Sequence, residues 1–179
     1  MLVYQDLFTE DEMMSDSYRR NPIEVDGEVI EGLFEVESEN RAVGADDVDI
    51  GCGNEFGGGD DAMDDSVETE NTVSGTRTGF NYTEMPFSSK AELKEYLKDY
   101  MRRIRAHMKE SGAERETIKQ FMEESGKAAI WLINKYRDLQ FFMGPSMDPD
   151  AGIVYAYYKD GAITPTFVYF KWGLRECKF

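Results

Sequence analysis

The chain has 179 residues, 41% of them hydrophobic and 13% aromatic, which is enough to bury one domain core and too apolar for a chain that stays unfolded. Twenty basic residues against 36 acidic ones give a formal charge of -16, which argues against a dedicated nucleic-acid binder because phosphates select Lys and Arg. No run approaches the roughly 20 apolar residues of a membrane span, and the opening MLVYQDLFTEDE turns acidic where a signal peptide is basic, so a cytoplasmic protein without a membrane partner is expected. A nuclear pool, or export without a signal peptide, stays open.

Leu2, Val3, Tyr4, Leu7 and Phe8 predict a short strand that ends in a turn at Glu10, Asp11 and Glu12. A strand pair is expected over residues 24–30 and 33–37, where apolar and acidic residues alternate with a period of two and Gly27 and Gly32 mark turns or bulges. Residues 39–72 combine six glycines with eleven carboxylates and few apolar anchors, a composition that predicts a flexible acidic loop. A further strand is expected through Thr72, Val73, Thr76, Thr78, Phe80 and Tyr82.

Helical periodicity sets in at Ser89, which stands three residues before Glu92 in capping-box spacing. Leu93, Tyr96, Leu97, Tyr100, Met101, Ile104 and Met108 form its apolar stripe as far as Gly112. A second helix is expected from Glu116 to Asp138, with Ile118, Phe121, Met122, Ala129, Leu132, Ile133 and Tyr136 facing inward, so residues 88–138 read as an antiparallel hairpin inserted between strands. Strand character returns at Phe141-Phe142-Met143, over residues 153–158 and over 166–170, with Lys159-Asp160-Gly161 as a turn. No internal repeat is present, and the reading is a single α+β domain over residues 1–179.

The residues for several familiar chemistries are missing. His107 is the only histidine, which rules out a His-based triad and a multi-histidine metal site and leaves a solvated helical residue as its simplest role. Cys52 and Cys177 lie far apart and outside CxxC spacing, so no zinc site is expected; a bridge between these two stays open. Gly57-Gly58-Gly59 leads into Asp60-Asp61, which would repel a phosphate. Asp47, Asp49, Asp60, Asp61, Asp64 and Asp65 could meet a hard cation, but none opens an EF-hand loop, so a solvated acidic loop is the alternative. A hydrolase built on paired carboxylates has only the abundance of acids behind it.

Charge is uneven along the chain. Residues 88–138 carry twelve basic and nine acidic groups, whereas residues 39–70 carry one and eleven. Lys90, Lys94, Lys98, Arg102, Arg105 and Lys109 recur every three or four residues along the first helix, with Glu95 and Asp99 as candidate pairing partners. That stripe reads either as a face for acidic partners or as a solvated helix surface.

Several stretches spanning almost the whole chain resemble the translationally controlled tumour protein (TCTP) family. They are MLVYQDLFTEDEMMSDSY, with Tyr4, Asp6, Leu7, Asp11, Glu12, Met13, Ser15, Asp16 and Tyr18; Tyr96-Leu97-Lys98-Asp99-Tyr100-Met101; Gln140-Phe141-Phe142-Met143-Gly144; and Asp160-Gly161, Thr164-Pro165 and Phe170-Lys171. The resemblance implies a tent-like twisted β core, similar to a zinc-binding chaperone of Rab-type GTPases but without its zinc cysteines. It further implies a protruding helical hairpin and a flexible acidic loop. Its functional implication is a non-enzymatic regulator of growth and stress survival that needs no cofactor and binds tubulin or microtubules, calcium, Rheb-type small GTPases, elongation factors and anti-apoptotic groove proteins.

On this resemblance Glu12 is the GTPase contact, either as an exchange factor or as a chaperone, where a carboxylate can compete for the magnesium or lysine that holds nucleotide phosphates. Calcium is expected to bind weakly through Asp49, Asn54, Glu55 and Gln140. Two departures stand out. The loop motif Ile-Gly-Gly-Asn appears as Ile50-Gly51-Cys52-Gly53-Asn54, and Gly-Glu-Asn-Met appears as Gly144-Pro145-Ser146-Met147, which removes a carboxylate beside the implied GTPase surface.

Overall fold

The computed structural model describes residues 1–43 and 68–179. Eleven strands and two long helices are found among them. The strands are β1 (Leu2–Asp6), β2 (Glu12–Ser15), β3 (Asn21–Val25), β4 (Glu28–Glu37), β5 (Asn40–Ala42), β6 (Thr69–Asn71), β7 (Thr83–Glu84), β8 (Gln140–Met143), β9 (Val154–Tyr157), β10 (Thr166–Phe170) and β11 (Leu174–Lys178). The helices α1 (Lys90–Glu110) and α2 (Arg115–Asn134) stand between β7 and β8.

The strands make a six-stranded sheet in the order β3-β4-β10-β9-β8-β7, a three-stranded sheet β11-β1-β2 and a two-stranded ribbon β5-β6, all with antiparallel pairing. Side chains on a strand point alternately to its two faces, and here both faces of the larger sheet are covered. Leu33, Phe141, Tyr155, Val168 and Phe170 pack with the helices in one apolar cluster. Phe34, Val36, Val154, Phe167 and Tyr169 pack with Tyr4, Met13 and Met14 of the smaller sheet in a second cluster. The central strand β10 is therefore buried at all five positions, which is why its sequence TFVYF shows no polar alternation.

The hairpin was expected to protrude. Instead it lies against the sheet: α1 buries Leu93, Leu97, Tyr100, Ile104 and Met108 along nearly its whole length, and Phe8 meets Tyr100 and His107 edge-on. The backbone of α2 comes so close to β4 that a Cβ on Gly32 would stand 2.8 Å from the Glu124 carbonyl oxygen. Gly32 thus lies at a bulge inside β4, where the pairing with β3 shifts register between Pro22 and Glu24, and its missing Cβ permits close helix packing. The turn falls earlier, at Asp26 and Gly27, whose φ of 52° and 80° suit a two-residue hairpin between Val25 and Glu28.

Helix ends follow local chemistry. Ser89 caps α1 by accepting the Glu92 amide, while the Glu92 carboxylate reaches back to Ser88 and accepts its amide at 2.7 Å. At the other end Gly112, with φ 76°, donates to Lys109 and Ala113 donates to Met108, which closes the helix as a Schellman motif. The second helix stops at Asn134, short of the expected Asp138, and Tyr136–Asp138 form a 3-10 turn. Its inward stripe is taken by Phe121, Ser125, Ala128, Ala129, Trp131 and Leu132, while Met122, expected inside, is 48% exposed.

The strand expected over residues 72–82 is a series of turns. Asn71 Oδ1 accepts the amides of Val73 and Ser74, and Gly79 packs so tightly on Val73 that an added Cβ would clash with its carbonyl. Val73 and Tyr82 are still buried, so the apolar spacing reflected burial without a ladder. The ends of the expected 39–72 loop pair as β5 and β6, Asn40 opposite Asn71 and Ala42 opposite Thr69; residues 44–67 lie outside the described residues.

One buried carboxylate joins these parts. Asp6, 1% exposed at the end of β1, accepts the amides of Phe8 and Thr9 on Oδ1, each at 2.9 Å, and the Gly152 amide on Oδ2 at 2.9 Å. The Thr9 hydroxyl adds a donor to Oδ1 at 3.2 Å. Asp6→Ala would orphan these donors, each costing about 1–3 kcal/mol when left buried without water. The expected result is a loss of about 3 kcal/mol, read as a thermal midpoint lowered by roughly 6–12 °C; an unchanged midpoint would show that the carboxylate is dispensable.

Candidate functional site

The β1–β2 turn follows from Asp6. Asp6 also accepts the Glu10 amide through its own backbone oxygen and donates to Asp11, and Glu10 turns the chain with φ 64°. This brings Asp11 onto the turn after β8: its carboxylate accepts the Ser146 amide at 3.0 Å and the Ser146 hydroxyl. Gly144 fits there because a Cβ would meet Asp11 Oδ2 at 2.8 Å and Met13 Sδ at 2.9 Å. Residues 144–147, where the chain departs from the family pattern, therefore sit directly beside Glu12. Ser146 supplies hydrogen bonds to a neighbouring carboxylate in place of a charge. Glu12 itself begins β2, is exposed, and has no ion pair among the described residues.

The basic stripe behaves as a surface. Lys90, Lys94, Lys98, Arg102, Arg105 and Lys109 are all exposed on α1. At about 100° per residue they fall within an arc of about 120°, and at 1.5 Å rise they run along about 28 Å of helix. Of the six, only Arg102 forms an ion pair among the described residues, with Asp99 at 3.5 Å; Glu95, the other expected partner, forms none. Arg103 leaves this face altogether, placing its guanidinium 4.4 Å from the Phe8 ring centroid and donating to the Asp150 carbonyl. A groove of about 400 Å³ runs between the helices, with Met101 and Met122 as apolar lining and Lys98, Arg102 and Arg105 at its edge. Met122, misplaced by periodicity, owes its exposure to this groove.

Of the expected calcium residues, Gln140 alone is among those described. It opens β8, half-buried, opposite Ala156; Asp49, Asn54 and Glu55 lie outside the described residues, as does Cys52. Among the described residues no group of three or more His, Cys, Asp or Glu is placed to hold a metal ion. His107 is exposed on α1 with its ring edge-on to Phe8 at 6.2 Å. Cys177 is a free thiol in β11, 3.2 Å from Gln5 Oε1. No helix among the described residues is long and apolar enough to cross a membrane.

Periodicity and motif spacing give no sign of Asp6 or of the Asp11–Ser146 contact, because both join segments more than 130 residues apart. The resemblance marked Asp6 and Asp11 as family positions without giving them a role.

Fold and surfaces together define an α+β protein in which a helical hairpin is laid on a doubly covered antiparallel sheet, with its charged residues turned outward. A sequence model described as translationally controlled tumour protein matches residues 1–175. The translationally-controlled tumor protein homolog of Plasmodium berghei (strain Anka) is 36% identical over 179 residues, covering 100% of both chains. The homolog of Alternaria alternata is 35% identical over 178 residues, covering 99% of each. Among solved structures, the translationally controlled tumor-associated protein p23fyp of Schizosaccharomyces pombe superposes with a TM-score of 0.72 at 30% identity, covering 100% of both chains. The Caenorhabditis elegans protein shares the fold, with a TM-score of 0.60 at 22% identity and coverage of 100% and 99%. This chain belongs to the translationally controlled tumour protein family.

Proposed function

We propose that this protein is a non-enzymatic, multi-partner regulator that engages acidic protein surfaces, tubulin tails among them, through the basic face of α1. The observation that supports this reading is a row of six exposed cations, five of them without an ion pair among the described residues, on a chain of net charge -16. A helix face that served only for solvation would be expected to neutralise itself with the acids at hand, and Glu95 is at hand. Charge reversal at Lys94, Lys98 and Arg102 leaves the buried stripe untouched, so the helix is expected to stay folded by circular dichroism. Co-sedimentation with microtubules should fall several-fold in that variant, and in wild type as salt rises, since exposed charges are screened beyond about 8 Å at physiological ionic strength. A reversed variant that sediments like wild type would assign the interaction to another surface.

Weak calcium association belongs to the same reading, with Asp49, Asn54, Glu55 and Gln140 as oxygen donors whose spacing is not that of an EF-hand loop. Titration calorimetry is expected to give a dissociation constant in the range of about 10⁻⁴ to 10⁻³ M, and a submicromolar site would contradict it.

A second reading, regulation of a Rheb-type small GTPase, draws on the placement of Glu12. Its backbone is held by the Asp6-centred turn while its carboxylate stays exposed, the state a group needs if it is to compete for a nucleotide's magnesium or lysine. Glu12→Gln should then reduce nucleotide release from the GTPase at least tenfold without lowering the thermal midpoint. Equal release rates for Glu12→Gln and wild type would remove this reading.

A further inference from the structure

A second concave surface lies far from the basic face in sequence, where the smaller sheet meets β4. It is a cleft of about 250 Å³ whose lining includes Tyr4 of β1, Phe34 of β4, Leu174 and Glu176 of β11, and Arg20 just before β3. The 3-10 turn of Lys171–Gly173 closes one side with Lys171 and Trp172.

Its walls are fixed by contacts outside the cleft. Phe34 stacks on Tyr169 at 5.1 Å with the planes 14° apart. Trp172 donates its indole N–H to Glu124 at 2.7 Å and meets Phe121 edge-on. Tyr4 is held in the ladder opposite Glu176 on one side and Met14 on the other.

Three features of the cleft are left over from folding. The Arg20 guanidinium stands 4.8 Å from the Tyr4 ring centroid and 5.7 Å from that of Phe34, and the Lys171 ammonium 5.9 Å from that of Trp172. Neither cation has an ion pair among the described residues. The Tyr4 side chain is 3% exposed, yet its hydroxyl has no hydrogen-bond partner among the described residues, and a buried polar group of that kind is seldom left unpaired. Burial raises the Tyr4 phenol above its usual range, Arg20 opposes that shift, and Glu176 and Asp16 add to it. Arg20 and Glu176, both part of the cleft, thus act on the hydroxyl end of the ring.

We propose that this cleft binds a small carboxylic acid with an aromatic or branched apolar body. The carboxylate lies between Arg20 and Lys171, while the apolar body covers Phe34, Trp172 and Leu174. Among the lining residues two cations and the Glu176 carboxylate leave one positive charge, which admits a monoanion, and Asp16 just outside the lining further disfavours a phosphate dianion. Its volume lies below the range of about 300–1,000 Å³ typical of drug-sized ligands, so the occupant is a fragment-sized acid. The guanidinium fork suits a carboxylate through paired N–H donors.

The two tryptophans, Trp131 and Trp172, give the assay its internal control, because only Trp172 lines the cleft. In the ¹⁵N-labelled full chain, phenylacetate should move the Trp172 indole resonance, assigned with Trp172→Phe, and leave that of Trp131 in place. The dissociation constant should be on the order of 1 mM, as ligand efficiency allows for a fragment of this size. Phenylacetamide and phenyl phosphate should bind at least several-fold more weakly. Arg20→Met should weaken phenylacetate about tenfold, and Lys171→Met, which keeps the stem over Trp172, should weaken it several-fold while the thermal midpoint holds. A Trp172 shift as large with phenylacetamide, tighter binding of phenyl phosphate, unchanged affinity in both variants, or no shift at about 10 mM phenylacetate would each overturn the proposal.

Discussion

The architecture turns on a carboxylate that the chain buries and then satisfies. Removing Asp6 from water is costly, and the cost is offset only because four donors converge on it, three from its own turn and one from distant Gly152. Convergence has steric conditions. A Cβ on Gly152 would stand 2.4 Å from Asp6 Oδ2, and one on Gly173 would occupy the space of the Tyr100 hydroxyl. Tyr100 in turn comes from α1 and packs edge-on to Phe170 of the central strand. One buried anion therefore sets the β1–β2 turn and the approach to β9, while the adjoining Tyr100 fixes the seat of α1 and the turn before β11.

Covering both faces of the six-stranded sheet has a second consequence, for charge. With Leu93, Leu97, Tyr100, Ile104 and Met108 committed to the sheet, the remaining arc of α1 can only face outward. Lys90 through Lys109 follow that arc, and Arg103, one position off it, is drawn inward onto Phe8. Packing thus decides which cations stay available. Where charge is buried elsewhere it is paired: Glu35 on β4 accepts from Lys159 at 2.8 Å and from the Tyr157 hydroxyl, and this pairing raises the Lys159 ammonium above its usual range. The same rule explains why an unpaired Tyr4 hydroxyl stands out.

What could be read from the sequence followed the range of the interaction. Helix periodicity, the Ser89 cap and the closing Gly112 depend on neighbours within five residues, and on α1 the structure has all three where the spacing puts them, whereas on α2 the stripe misplaced Met122 and the helix ends at Asn134. The turn at Asp26-Gly27 was equally local and Gly27 marked it, but the strand bounds ran across it, because the alternation on either side read as one strand over residues 24–30. Residues 72–82 failed for a different reason: spacing reports burial, and Val73 and Tyr82 are buried by turns that Asn71 and Gly79 organise. β11 went unnoticed because its pairing with β1 joins the two ends of the chain, Leu2 opposite Lys178. The site divides in the same way. The basic stripe was legible residue by residue, since helical spacing alone puts it on one face. The support of Glu12 was not, since Asp11 meets Ser146 across 135 positions. Gln140 was legible as a residue and not as a ligand set, its expected companions lying outside the described residues.

If Asp6 organises the molecule, the amides it holds should open only when the whole domain opens. Native-state hydrogen exchange of the Phe8, Thr9 and Gly152 amides measures this directly. The account predicts protection close to the global unfolding free energy at all three, moving in parallel as denaturant is added. Exchange at those amides as fast as at the exposed turn around Gly161 would contradict it.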